Sequence, residues 1–235
     1  MASRYDMANY DSDEEREKYP QIPKKNLTSA VLFCVKLFNS KQISYTVTGG
    51  YAVKLLGGER DTRNVDMYVG AKMKDIWKLL ESESCVILPQ TKLLGDMLRI
   101  FVRTGPGWAD SNACELEIPI AVNLVETITQ GPSSVAIQSR RQSRVQAGLG
   151  RELVYTTGIF FLIKNKIAAF ASYGREEDRT DLIFLMHKYP EKVIVKMEEL
   201  DMEASKVFLD SIPPEDRAKL VEEIFEFTID GCKPP

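Results

Sequence analysis

Thr48-Gly49-Gly50-Tyr51-Ala52-Val53, followed by Arg60-Asp61-Thr62-Arg63-Asn64-Val65-Asp66-Met67-Tyr68-Val69, is the stretch on which the reading of this chain turns. The alternating, β-branched run Ser44–Thr48 predicts a strand that ends in Gly49-Gly50. Tyr51–Leu56 follows as a short helix stopped by Gly57-Gly58. Asn64–Val69 then predicts a second strand, with Asn64 and Asp66 on one face and Val65 and Met67 on the other. Glycines at a strand-to-helix turn let a phosphate approach the backbone, where the helix N-terminus presents N–H groups. A plain tight turn would use the same glycines. The acidic strand beside them is what raises the nucleotide reading. In Cys114–Ile120, read as a further strand, Glu115 and Glu117 share a face. Carboxylates from neighbouring strands beside a phosphate-binding turn suit Mg²⁺, which favours a few carboxylates plus substrate phosphates. Two such ions could clamp both oxygens of an in-line displacement.

These residues resemble the nucleotidyltransferase fold of the polymerase-beta type, nearest to small antibiotic and toxin-type nucleotidyltransferases. The family's pattern is Gly-Gly or Gly-Ser, then an acid-x-acid pair on a strand, then a third acid on a neighbouring strand. Lys166-Ile-Ala-Ala-Phe and Arg175-Glu-Glu-Asp178-Arg-Thr-Asp181-Leu resemble the helical segment that follows this core, so the likeness spans about residues 27 to 190. It implies that Gly49 and Gly50 hold the triphosphate of an NTP, with Arg60 and Lys166 as further phosphate-binding candidates. It implies Asp66 as a magnesium ligand and Glu117 as the acid that orients or deprotonates an acceptor hydroxyl, with Glu115 as its substitute. The implied metal set is Asp66, Asn64 and Glu117, and the implied reaction transfers a nucleoside monophosphate. One departure stands out: the first acid of the pair is Asn64. An amide brings no charge to a metal, and Asp61, in the turn, could replace it only if the loop folds inward. The alternative is therefore a weakened or inactive protein of this fold, acting in nucleotide binding or protein interaction.

Around this unit the chain reads as α+β, a small mixed sheet with flanking helices followed by a helical C-terminal part. Three segments are expected: an acidic flexible tail over 1–25, an α/β core over 26–150 and a helical region over 151–235. Asn26–Phe38 and Met73–Glu83 carry helical stripes, and Trp77 lies on the second. Leu98–Val102 predicts another strand. Thr157–Ala171, Arg175–Lys188 and segments from Glu191 to Ile229 read as helices. Asp178 and Asp181 are expected to pair with Arg175 and Arg179 along their helix. Arg140, Arg141 and Arg144 form a basic linker or strand approach that is either solvated or meets an anion.

Composition bounds the rest. With 31 Lys+Arg against 34 Asp+Glu, the net charge of −3 speaks against a bulk-cationic nucleic-acid binder. The acceptor is left open among a small molecule, a protein side chain and an RNA end, with a small molecule or protein expected ahead of a long nucleic acid. Four scattered cysteines argue against a zinc ribbon or disulfide framework, and the single histidine, His187, against Ser-His-Asp chemistry. No secretory signal is read at the start and no run is long enough to span a membrane, so a cytoplasmic protein is expected.

Overall fold

The computed structural model describes residues 1–92, 95–108, 112–127, 137–148 and 150–231, with side chains in the last helix described to residue 222. It divides into two compact units: residues 1–55 with 61–157, and residues 56–60 with 158 onward.

The first unit is built on an eight-stranded mixed sheet. Its strands are β1 (Ser3–Tyr5), β2 (Tyr45–Thr48), β3 (Asn64–Val69), β4 (Val86–Pro89), β5 (Met97–Thr104), β6 (Ile118–Glu126), β7 (Arg141–Ala147) and β8 (Gly150–Thr156), in the order β1-β4-β5-β6-β3-β2-β8-β7. The sheet is thus larger than the small one expected. Helices α1 (Ser12–Lys18), α2 (Lys24–Ser40), α3 (Gly49–Leu55) and α4 (Met73–Glu81) accompany it. The α2 stripe buries Leu27, Ala30, Val31, Cys34, Val35 and Phe38, and Trp77 of α4 is likewise core. β3 alternates as its sequence predicts: Val65, Met67 and Val69 are fully buried, while Asn64, Asp66 and Tyr68 are half-buried on the opposite face.

The segment 1–25 carries more structure than its acidic composition suggests. β1 pairs in parallel with β4, matching Ser3 with Ile87 and Tyr5 with Pro89. Tyr5 and Tyr10 both pack on Phe101, at 5.1 and 5.5 Å between ring centroids. Asp11 caps α1 by accepting from the Asp13 and Glu14 amides. Two aromatic rings supply the apolar contact that a count of acids conceals.

Tyr51 of α3 is wholly buried, and its hydroxyl shares a 2.8 Å hydrogen bond with that of Thr28. Burial pushes its phenol up from about 10 to about 12, the Thr28 bond opposing only in part. A folded-state pKa above the unfolded one means that folding binds this proton more tightly. The contribution is therefore complete below pH 10 and is lost as pH rises toward 12, by at most about 1.4 kcal/mol per pH unit. Urea midpoints measured from pH 9 to 12 should fall more steeply for the native chain than for Tyr51→Phe; equal slopes would exclude Tyr51 as a source.

The second unit is helical: α5 (Ile159–Tyr173), α6 (Glu176–Lys188), α7 (Pro190–Ile194), a 3₁₀ turn at Met197–Glu199, α8 (Met202–Ser211) and α9 (Pro214–Gly231). Gly174 closes α5 in the left-handed region at φ 60°, its amide bonded to the Phe170 carbonyl. Phe170 meets Phe208 edge-on at 5.9 Å, tying α5 to α8. His187 lies in the last turn of α6.

Candidate functional site

The sheet register gathers a polar row across four strands. Thr48 of β2 pairs with Asp66 of β3, Asp66 with Asn123 of β6, and Asn123 with Arg99 of β5. Asp66 is the single carboxylate of this row. Its Oδ1 accepts from the Asn64 side-chain amide at 2.8 Å and from the Asn123 amide at 2.8 Å. Both amides must turn nitrogen-first, because an amide oxygen there would face a carboxylate oxygen. Arg99, at the far end of the row, stacks on Tyr10 and Phe101 and donates to the Tyr10 hydroxyl at 3.2 Å.

Gly49 sits against the same carboxylate. Its φ is +67°, and a Cβ built there would lie 2.2 Å from Asp66 Oδ2. The glycine is therefore required both by its backbone and by the close approach of Asp66. Gly50 follows as the second residue of α3. The turn and the acid expected to work together do stand side by side.

The remaining candidates fall elsewhere. β6 begins at Ile118, so Glu115 and Glu117 precede the strand and do not form an acidic face on it. Glu117 is exposed and accepts from the Trp108 indole at 3.0 Å, while Glu115 lies 3.8 Å from Lys25. The β6 residue opposite Asp66 is Asn123, which the sequence reading did not single out. Its only advance signal was a lone polar residue inside the apolar run Ile118-Pro-Ile-Ala-Val-Asn-Leu-Val125. Asp61 is exposed and pairs with Lys54 at 2.8 Å.

Arg60 and Lys166 belong to the second unit and are engaged by its carboxylates. Arg60 donates from Nε and Nη2 to Asp181 at 3.0 and 2.7 Å. Lys166 contacts Asp181 at 2.7 Å and Asp178 at 2.8 Å. Asp178 and Asp181 thus reach across to α5 and to Arg60, in place of the expected pairing within α6. Arg179 pairs with Glu176 instead. Burial pulls the Arg60 guanidinium down, but the hydrogen bond and charge of Asp181 more than offset it and raise its pKa overall.

No family model matches the chain, and no curated protein matches it by sequence. Solved structures do. An antigenic nucleotidyltransferase-like protein from Paracoccidioides brasiliensis superposes with a TM-score of 0.58 at 15% identity, over 86% of this chain and 94% of its own. A nucleotidyltransferase-type protein from H. pylori matches at a TM-score of 0.41 and 14% identity, over 91% and 100% of the two chains. The lincomycin-bound lincosamide antibiotic adenylyltransferase LnuA matches at 0.39 and 13%, over 70% and 97%. The chain has the nucleotidyltransferase fold, a conclusion that the first of these carries.

The magnesium implied by this fold can be tested against the donors present. Among the described residues, no group of three or more His, Cys, Asp or Glu side chains is placed to hold a metal. One carboxylate with two amides turned away does not fit a resident two-ion centre. One carboxylate does fit a single ion delivered with substrate phosphates, because Mg²⁺ keeps most of its water and needs few protein ligands.

Proposed function

We propose that this protein binds a nucleoside triphosphate, carried with one magnesium ion, at the Gly49–Gly50 turn beside Asp66, and that it does so without efficient transfer. The observation that carries this reading is the make-up of the polar row at Asp66, one acid with two amides donating to it. Asp66 would hold the ion, whose charge offsets the repulsion between phosphate and a carboxylate packed against the turn. The same ion polarises phosphate oxygens when bound. Asn64 and Asn123 orient Asp66 through its Oδ1, and neither adds the anionic charge with which a second ion would be retained. An acceptor hydroxyl then lacks an activating group in the row. Glu117, upstream of β6, is the remaining candidate for that role.

Calorimetric titration with the four NTPs, with and without Mg²⁺, tests this beside a pyrophosphate-release assay. The expected result is magnesium-dependent binding that Asp66→Ala abolishes, with no appreciable pyrophosphate. The pair Asn64→Asp and Asn123→Asp should strengthen the magnesium dependence by about tenfold or more. Absence of binding to any NTP would overturn the reading. Rapid pyrophosphate release by the native chain would instead establish a working transferase.

A further inference from the structure

A second recess in the first unit is unlike the polar row in both place and charge. It is a cavity of about 740 Å³ between the start of α2 and the β7–β8 hairpin. Among the described residues, Lys24, Lys25, Arg144 and Arg151 line it, and no acidic side chain does. All four are exposed. Among the described residues, Lys24, Arg144 and Arg151 make no ion pair, and Lys25 has only the distant, solvent-exposed Glu115 at 3.8 Å. Leu55, the last residue of α3, forms part of the wall. Gly49 is the first residue of that seven-residue helix, so the two places are separated by roughly 9 Å of helix rise.

Four cations facing one concavity repel one another unless an anion joins them, and a recess focuses their field. The chain as a whole is acidic at −3, so this concentration of positive charge is local. A volume near 740 Å³ suits a small molecule. Two arginines on the hairpin supply planar forks for bidentate contacts, and two lysines on α2 supply point charges from the facing side. We infer that this cavity is a binding site for a small polyanion carrying two or more phosphate groups, separate from the Gly49–Asp66 site.

The test uses inorganic tripolyphosphate as the probe, titrated calorimetrically without magnesium at low and at physiological ionic strength. The native chain and Asp66→Ala should bind it equally, with affinity falling as salt rises. Arg144→Gln with Arg151→Gln should weaken binding about tenfold or more, as expected for two lost charge contacts. Both positions are exposed, so the variant should retain the native melting profile. Absence of binding, or binding that changes in Asp66→Ala but not in the double arginine variant, would overturn the assignment. Preference for a single-stranded RNA oligonucleotide over tripolyphosphate, abolished by the same arginine changes, would also overturn it in favour of a nucleic-acid surface.

Discussion

Asp181→Ala is expected to destabilise the helical unit by about 3–5 kcal/mol, the usual cost of removing one partner from a buried ion pair. The Asp181 side chain is only 3% exposed and takes two bonds from Arg60 and one from Lys166, itself 8% exposed. In the native unit two cations meet two carboxylates. The variant leaves Lys166 with Asp178, and leaves Arg60 with the more weakly acting charges of Glu177 and Asp178. Desolvation already opposes the Arg60 charge, and Asp181 is its main compensation. Asp181→Asn should incur most of the same loss, because it preserves shape but removes the anion. Lys166→Met combined with Asp181→Leu should recover part of it by removing charges of both signs. Urea unfolding monitored by far-ultraviolet circular dichroism would report the change. A loss below about 1 kcal/mol would place the cluster among exposed, weakly coupled pairs, and would restore Lys166 and Arg60 as groups available to a ligand.

That cluster illustrates what the sequence hides. Lys166, Asp178 and Asp181 are visible as a charged helical pattern, and i, i+3 and i, i+4 rules assign the acids to neighbours on their own helix. Those rules describe an isolated helix. Here α6 turns Asp178 and Asp181 toward α5 and residue 60, and burial strengthens the longer-range pairs at the expense of the local ones. The polar row was half legible for a similar reason. Alternation within β3 determines that Asn64 and Asp66 share a face, because the period of two is local. The Asp66–Asn123 pairing depends on the β3–β6 register, 57 residues apart, which no spacing reveals. Glu115 and Glu117 attracted attention because acids resemble chemistry, whereas the strand that matters starts one residue later. The β7–β8 hairpin was obscured in the opposite way: Arg141, Arg144 and Arg151 mask the buried positions Val145, Ala147 and Val154 that seat it on the sheet.

Gly49→Ala is expected to cost about 2–4 kcal/mol and to abolish magnesium-dependent nucleotide binding, through two effects that can be separated. The first is backbone strain, since alanine at φ +67° costs about 1–2 kcal/mol. The second is steric: the new methyl would stand 2.2 Å from Asp66 Oδ2, 3.1 Å from its Cγ and 3.2 Å from its Cβ. Asp66 would have to swing away and surrender its bonds to Asn64 and Asn123, so one substitution disables turn and acid together. Gly50→Ala avoids the first effect, because Gly50 has no positive φ. Asp66→Ala removes the second. In the double variant Gly49→Ala with Asp66→Ala, only the backbone strain survives, so the two changes should be less than additive by about 1–2 kcal/mol. Full additivity in that cycle, measured by urea unfolding, would mean that Asp66 does not press on the turn. The nucleotide site would then lose its physical basis, because the close approach of the acid to Gly49 is what requires a cation between Asp66 and an arriving phosphate.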